Sequence, residues 1–135
     1  MRAVIDTNVL VYDTFEDSLY HKEAKKLLDD LDVWIIPIIV IHEYVWVLKA
    51  LKIDAEDVLY KTEEYINNPK TKLISESNII VKALNTIVKE NLSLSRYNDK
   101  VILFVAVNND FNIATFDEKL RKQALNFGLK VLPAL

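Results

Sequence analysis

The chain has 135 residues, of which 51% are hydrophobic and 27% charged, and its net charge is −3. This length and composition predict one folded domain over residues 1–135 and exclude intrinsic disorder for its body. The chain has no cysteine and a single glycine, Gly128. Disulfide frameworks, thiolate metal sites, cysteine nucleophiles and glycine-rich phosphate loops are therefore excluded. The mild acidity leaves nucleic acid open as a substrate, because a local basic groove can override the total charge.

Apolar runs of strand length alternate with segments of helical periodicity along the whole chain. The predicted strands are Ala3–Asp6, Val33–Pro37, Thr71–Ser75, Asn112–Thr115 and Lys130–Leu132. The predicted helices are Ser18–Leu31, Ile38–Leu51, Asp54–Asn67, Ser77–Asn91, Tyr97–Asn108 and Phe116–Phe127. Such an alternation is typical of βαβ units and predicts an α/β fold with a mostly parallel sheet. In these sheets, ligands bind outside the carboxyl ends of the strands.

The chain shows no candidate membrane span and no export signal. The longest apolar run, Val33 to Ile41, is interrupted by Pro37 and is far shorter than the roughly 20 residues that a spanning helix needs. Asp6 and Asn8 break the apolar amino-terminal segment at once. Together with the lack of cysteine, this predicts a cytoplasmic protein that does not engage a membrane.

Four acidic residues lie in apolar surroundings. Asp6 closes the first predicted strand and Asp117 follows the fourth, whereas Glu43 and Asp99 belong to two strongly apolar helices. The helix Ile38–Leu51 is apolar nearly all round, which predicts that it is buried on most sides. Because burial of an unpaired carboxylate costs several kcal/mol, these acids require a compensating positive charge.

A divalent cation would supply that charge. Mg²⁺ and Mn²⁺ prefer oxygen ligands, and clustered carboxylates repel one another unless an ion lies between them. Such an ion can activate water and stabilise a phosphoryl group during in-line displacement. Simpler roles stay open for each acid: Asp6 could cap a turn, Asp117 could favour a helix dipole, Asp99 could pair with Arg96, and Glu43 could meet a lysine from another helix.

Around these acids the chain resembles the PIN-domain ribonucleases, and most closely the VapC-like toxins of type II toxin–antitoxin pairs. The segment Val4-Ile5-Asp6-Thr7-Asn8 is similar to the family's opening strand with its metal-binding aspartate. Glu43 follows the second strand, where the family also has an acid. Asp99 begins a helix like the third family acid, and Ala114-Thr115-Phe116-Asp117 resembles the family's T-x-D segment. The matches run in order from residue 4 to about residue 132.

The resemblance implies a three-layer α/β/α sandwich around the parallel sheet, with Mg²⁺ or Mn²⁺ as cofactor and endonucleolytic cleavage of RNA as the activity. The four acids Asp6, Glu43, Asp99 and Asp117 would be the catalytic metal ligands. Asn8 would brace the first of them. The hydroxyl of Thr115 would support the site or a scissile phosphate. An antitoxin protein is the partner that the family implies.

The chain departs from the family pattern at three places. Many members carry a further acid two residues after the fourth one, where this chain has Lys119, and this puts a second metal position in doubt. The residue after the third acid is usually small, but here it is Lys100. A glycine often precedes the fourth strand, where this chain has Asp110-Phe111-Asn112.

Basic and aromatic residues complete the sequence-based expectations. Arg96, Lys100 and Lys119 lie close in sequence to the acids and could guide an RNA backbone, or they could be solvated surface charges. The aromatic residues are expected in the core or in an interface rather than as base-stacking platforms; they are Tyr12, Trp34, Tyr44 and Trp46. The apolar excess of Ile38–Leu51 and Tyr97–Val107 predicts a homodimer surface in addition to a core.

Two alternatives to a ribonuclease stay open. A catalytically silent module that binds RNA or protein would keep the fold and a structural cation, and the Lys119 departure motivates it. A phosphatase with Asp6 as nucleophile is the other, because Val-Ile-Asp-Thr-Asn weakly resembles the haloacid-dehalogenase opening. That family has a second aspartate where this chain has Asn8.

Overall fold

The computed structural model describes residues 1–135 as five strands and seven α-helices. The elements in chain order are β1 (Arg2–Ile5), α1 (Thr7–Thr14), α2 (His21–Asp30), β2 (Val33–Pro37), α3 (Ile38–Ala50), α4 (Ala55–Ile66), β3 (Thr71–Ile74), α5 (Ile80–Lys89), α6 (Tyr97–Asn109), β4 (Asn112–Ala114), α7 (Glu118–Asn126) and β5 (Val131–Leu132). A short 3₁₀ turn, Leu94–Arg96, precedes α6. None of the helices combines the length and the apolar character needed to cross a membrane.

The strands form one sheet in the order β3-β2-β1-β4-β5, and every neighbouring pair is parallel. The predicted α/β fold is therefore confirmed, and its sheet is parallel throughout. The chain starts in the middle, moves outward through β2 to β3, and then crosses to β4 and β5 on the other side of β1. Strand order thus reverses between β1 and β4, and the carboxyl ends of these two strands border the crevice where ligands bind in such sheets.

This reversal also explains the layers. Crossover connections between parallel strands are right-handed, so connections that run in opposite directions place their helices on opposite faces of the sheet. The helices of the first half contact one another through α1–α2, α1–α3 and α3–α4, and those of the second half through α5–α6 and α6–α7. The result is the three-layer α/β/α sandwich that the family resemblance implies.

One cluster of 31 buried residues forms the core. The three inner residues of β1, Ala3–Ile5, are fully buried, and in α6 the whole run Val101–Ala106 is buried. Because all of this run packs within the monomer, α6 has no apolar surface to spare for the dimer contact expected of it. Exposed apolar residues lie on α3, as expected, where they are Ile38 and Trp46, and also on α5, where they are Ile80, Val81, Leu84 and Val88.

The sequence pattern missed helix α1. Its sequence, TNVLVYDT, is short, has no helical hydrophobic periodicity and is rich in β-branched residues, which have reduced helix propensity. The helix forms because Asp6 caps it, accepting a hydrogen bond from the Thr7 backbone N–H, and because Val9 and Leu10 are fully buried. Tertiary packing therefore overrides the local preference.

Several helix boundaries differ from expectation: α2 begins at His21 rather than Ser18, and α5 begins at Ile80 rather than Ser77. Helix α7 begins at Glu118 rather than Phe116, because Asp117 is the N-cap and accepts from the Leu120 backbone N–H at 3.0 Å. At the end of α6, Asp110 adopts a left-handed conformation with φ of 53°. Glycine is the usual residue in this conformation, and aspartate tolerates it better than most others. Asp110 can therefore stand where the family often has a glycine before β4.

Helix α3 is not buried on most sides, as its composition predicted. It keeps a solvent-facing stripe at four-residue spacing, on which Ile38, His42 and Trp46 are all exposed. Of the aromatic residues expected in the core or an interface, Trp34 and Tyr44 are buried and Tyr12 is half-buried. Trp46 lies outside the core, with 63% of its surface exposed.

Candidate active site

A cavity of about 320 Å³ lies at the carboxyl edge of the sheet, where β1 and β4 end. It contains all four acids singled out from the sequence, together with Asn8; its remaining lining residues are Thr7, Val11, Tyr12 and Val47. A larger cavity, about 420 Å³, lies between α2 and residues 132–135, but its lining is mostly apolar. The acidic cavity is therefore the candidate site, and it lies where the topology of a parallel sheet places ligands.

Asp6 sits at the base of this site and is buried. Its Oδ1 atom accepts a hydrogen bond from the Thr7 backbone N–H at 2.7 Å. Its Oδ2 atom accepts from the Thr115 hydroxyl at 2.7 Å and from Asn8 Nδ2 at 3.0 Å. Every donor to this carboxylate is neutral, so its negative charge is solvated by dipoles and has no cationic partner.

Thr115 connects Asp6 to the fourth acid. Its hydroxyl, which donates to Asp6, also accepts from the Asp117 backbone N–H at 3.0 Å. Asn8 reinforces the same turn, because its Oδ1 accepts from the Phe116 backbone N–H at 3.1 Å. The guanidinium of Arg121 donates to the Thr115 carbonyl at 2.7 Å. These contacts join the end of β1 to the segment after β4.

Glu43 reaches the site from α3. Its Oε1 accepts from the Thr7 hydroxyl at 2.7 Å, and its Oε2 accepts from Asn98 Nδ2 at 2.9 Å. The lysine partner considered in the sequence analysis is not there. Both donors are neutral side chains from α1 and α6, and they fix the direction of the carboxylate without cancelling its charge.

Asp99 and Asp117 approach the site from the starts of two helices. Asp99 lies in the first turn of α6, and its Oδ2 is 3.6 Å from Nε of Arg96. Asp117 uses its Oδ1 as the N-cap acceptor of α7. The simpler roles considered for these two acids are thus real, and they coexist with a position on the wall of the acidic cavity.

The crowding of negative charge shows in the pKa values. Burial raises the pKa of Asp6 to about 7, and the charges of Asp99 and Glu43 push it in the same direction against the hydrogen bonds from Thr115 and Thr7. Burial also raises the pKa of Asp99, with the charges of Asp117 and Glu43 adding to the effect and Arg96 opposing it. Perturbed carboxylates of this kind cluster at functional sites.

The oxygen-only donor set fits Mg²⁺ or Mn²⁺, which take carboxylates and water as ligands. A buried Asp6 with no cationic partner fits as well, since an ion would favour its charged form. No group of three or more acidic or histidine side chains stands in metal-ligating geometry in this structure. The chain thus brings the candidate metal-ligating oxygens into one cavity, while hydrogen-bond donors of the protein occupy the oxygens of Asp6 and Glu43.

The three basic residues proposed as substrate contacts have different surroundings. Arg96 pairs with Asp99, and its Nη2 atom is buried without a hydrogen-bond partner. Lys119 is exposed and forms no ion pair. Lys100 is buried, and its Nζ lies 3.0 Å from Oε1 of Glu90. The face of α6 that carries Lys100 packs inward, so the ammonium of Lys100 points away from the acidic cavity.

Sequence reasoning missed the residues that orient the acids from a distance. Thr7 and Asn98 hold Glu43, and Arg121 holds Thr115. Only proximity in sequence could have indicated the first two, because Thr7 adjoins Asp6 and Asn98 adjoins Asp99. Arg121 stands four residues after Asp117, a spacing that suggests an ion pair rather than the carbonyl contacts that it makes.

Several solved structures share this fold at low sequence identity. VapC20 of Mycobacterium tuberculosis, a toxin that cleaves the sarcin–ricin loop, aligns with a TM-score of 0.78 and 14% identity over 90% of this chain and 94% of its own. VapBC2 of Rickettsia felis, bound to a fragment of its promoter DNA, aligns with a TM-score of 0.67 and 18% identity over 97% of each chain. A toxin–antitoxin complex from Klebsiella pneumoniae aligns with a TM-score of 0.59 and 21% identity over 87% and 88%.

No curated protein matches the chain in sequence. The sequence profile of the PIN domain, however, matches residues 3–125. That span runs from the first strand to the last helix and includes every residue of the acidic cavity. Fold, strand order and the position of the acids agree with this match, and the chain belongs to the PIN domain family.

Proposed function

We propose that this chain is a Mg²⁺- or Mn²⁺-dependent endoribonuclease that hydrolyses RNA phosphodiester bonds, and that it acts as the toxin of a toxin–antitoxin pair. The observation that carries the proposal is the cavity at the switch point of the sheet, in which Asp6, Glu43, Asp99 and Asp117 meet. Membership of the PIN family and the similarity of the fold to VapC20, a toxin that cleaves RNA, support it.

The four carboxylates would hold the cation, which supplies activation of water and stabilisation of charge on the phosphoryl group. The chain's own residues prepare the site for it. Thr115 and Asn8 fix the direction of Asp6, and Thr7 with Asn98 fixes that of Glu43. Such preorganisation avoids the cost of ordering the ligands when the ion and the RNA arrive.

Arg96 and Lys119 are the basic residues that we propose as contacts to the RNA backbone. Arg96 adjoins the site through Asp99, and 21% of its side-chain surface is exposed. Lys119 is exposed and unpaired on the first turn of α7, two residues after Asp117. Lys100 is no longer proposed for this role, because its ammonium is committed to Glu90.

A catalytically silent RNA- or protein-binding module is the second candidate, favoured by two observations. No three acids are in ligating geometry, and Lys119 replaces a further acid of the family pattern. The phosphatase alternative is not proposed, because the chain belongs to the PIN domain family and has Asn8 where the haloacid-dehalogenase pattern has its second aspartate.

The test is a Mn²⁺ titration on a mixed pool of RNA, with reversal by EDTA. We expect cleavage that depends on the ion, and a rate lower by about 100-fold or more for Asp6→Asn, equal to about 2.7 kcal/mol or more of transition-state stabilisation. Asp110→Asn, which removes one exposed carboxylate outside the cavity, is the matched control. Equal rates for Asp6→Asn and the wild type would contradict the mechanism, and binding without cleavage would favour the silent module.

The proposed partners are an antitoxin protein and a second copy of the chain, in the cytoplasm. Solved structures of the same fold include a toxin–antitoxin complex, which supports the antitoxin as partner.

The exposed apolar face of α5 supports a second copy of the chain as partner, because Val81 and Val88 are 69% and 78% exposed and have no partner within the monomer. Light scattering should show a dimer, and Val88→Glu should return it to a monomer. A wild-type monomer at high concentration would contradict the dimer.

A further inference from the structure

We infer that Trp46 and Lys49 form a stacking subsite for an unpaired RNA base beside the acidic cavity. The inference rests on the proposed ribonuclease function and adds a point of contact for the substrate. It assigns a role to the solvent-facing stripe of α3, which neither the core nor the acidic cavity uses.

The exposure of Trp46 is the first observation. At 63% it is the most exposed aromatic side chain in the protein, whereas the other tryptophan, Trp34, is 6% exposed. Leaving an indole in water forfeits the burial energy that a large apolar side chain can provide. Lys, Glu or Gln could occupy this exposed helix position, but the chain has tryptophan there.

The position of Trp46 relative to the cavity is the second observation. It follows Glu43 by three residues on α3, a spacing at which helical side chains are neighbours with Cβ atoms roughly 5–6 Å apart. The next residue, Val47, lines the acidic cavity beside Glu43. Trp46 is therefore a neighbour on α3 of two residues that line the cavity, Glu43 and Val47.

A cation accompanies the ring. The Nζ atom of Lys49 lies 5.0 Å from the centroid of the Trp46 ring, within the range of a cation–π contact. Lys49 forms no ion pair with an acidic side chain, so its charge stays available to a phosphate. Single-stranded nucleic acid is held by this combination, in which bases stack on aromatic rings and basic side chains follow the backbone.

The distribution of charge around the cavity favours a contact that does not depend on a cation. Four carboxylates repel the RNA backbone, and two cations close to them in sequence already have acidic neighbours: Arg96 lies 3.6 Å from Asp99, and Lys100 lies 3.0 Å from Glu90. Stacking requires no charge and works beside an acidic site. Trp46 can thus hold a nucleotide near the cavity where electrostatic attraction is weak.

The stripe favours an RNA base over a protein partner. One turn before Trp46 stands His42, which is exposed, and one turn after it stands Lys49, also exposed. An isolated ring between two polar residues suits a single flat ligand. An apolar protein surface would instead match α5, where four exposed apolar residues adjoin one another.

The test measures binding of a single-stranded RNA of about 8 nucleotides, in EDTA to prevent cleavage, by tryptophan fluorescence. A length of this order matches the site sizes of single-strand binding surfaces. The wild type should show quenching, because Trp46 is the tryptophan that solvent and RNA can reach. Trp46→Ala should abolish the quenching and weaken affinity by about 5- to 150-fold, the range of stacking on one aromatic ring.

Two variants serve as controls. Trp46→Phe keeps an aromatic ring and should retain most of the affinity. Tyr60→Ala removes another exposed aromatic, 55% exposed on α4 and outside the acidic cavity, and should bind as the wild type does. Because both Trp46 and Tyr60 lie at the surface, their variants should unfold at the wild-type temperature.

The outcomes separate the inference from the function on which it rests. A wild type that cleaves RNA while Trp46→Ala binds and cleaves with unchanged constants overturns the inference alone. A change in oligomeric state or in protein binding for Trp46→Ala, with RNA affinity intact, overturns it in favour of a protein interface. A wild type that neither binds nor cleaves RNA in Mn²⁺ overturns the proposed function, and the inference with it.

Discussion

Replacement of Asp6 by asparagine should change how the stability of the metal-free protein depends on pH. The pKa of Asp6 is about 7 in the fold, against 3.8 for an unperturbed aspartate. Between these values the folded protein holds a proton that the unfolded chain has released, so the free energy of unfolding falls as pH rises. Burial of the charge is the main cause.

The magnitude follows from the two pKa values. Each unit of difference corresponds to about 1.36 kcal/mol. Linkage then predicts that Asp6 lowers the free energy of unfolding by about 2–3 kcal/mol between about pH 5 and about pH 8. The raised pKa of Asp99 adds a loss of the same sign. In Asp6→Asn the neutral amide does not titrate, and this contribution should disappear.

Urea unfolding in EDTA at several pH values measures the effect, with the difference between wild type and variant as the readout. Asp110→Asn removes one exposed carboxylate and should give a curve parallel to that of the wild type. Mg²⁺ or Mn²⁺ at about 100 times its dissociation constant should restore about 2.7 kcal/mol to the wild type and much less to Asp6→Asn. Parallel pH curves for wild type and Asp6→Asn would refute the reasoning.

Three other changes test the contacts around the site. Thr115→Val removes the hydroxyl that lowers the pKa of Asp6 and accepts from the Asp117 backbone, so the Mn²⁺ concentration for half-maximal cleavage should rise several-fold, and an unchanged value would contradict the role. Arg121→Met leaves the carbonyls of Thr115, Leu132 and Pro133 without their charged donor and should cost about 1.5–3 kcal/mol in urea unfolding. Glu90→Gln leaves the buried ammonium of Lys100 without its counter-ion, whereas Lys100→Met leaves only the half-exposed carboxylate of Glu90 unpaired. The first substitution should therefore be more destabilising in thermal unfolding. The reverse order would show that Glu90 is dispensable.

The order of the elements could be predicted because the apolar runs are short and separated. The length of each run indicates whether it forms a strand or a helix. The ends of β2 and α3 fall within one residue of expectation. Helix α1 could not be predicted, since the cap by Asp6 and the packing of Val9 and Leu10 make it helical against its local propensity. A sequence window contains no information on that packing.

The four acids could be predicted for a topological reason. A parallel sheet brings the carboxyl ends of its strands to one edge, so Asp6 and Asp117 were expected at the same edge once the fold class was known. The donors that orient Glu43 could not be predicted in the same way. Asn98 lies 55 residues away from it, and the direction of Lys100 depends on which face of α6 is buried.

Two cations of this chain, Arg121 and Lys100, lie close in sequence to acids of the site. Arg121 stands one turn after Asp117, where an ion pair would be the ordinary outcome, yet its guanidinium binds three backbone carbonyls. Lys100 adjoins Asp99 in sequence and pairs with Glu90. Both could have neutralised the cavity, and both are directed elsewhere. Arg96 alone is left to offset the four carboxylates of the cavity. The remaining negative charge is available to an exchangeable partner. A soluble divalent cation is such a partner, and it would stabilise the fold most where Asp6 is ionised, above about pH 7.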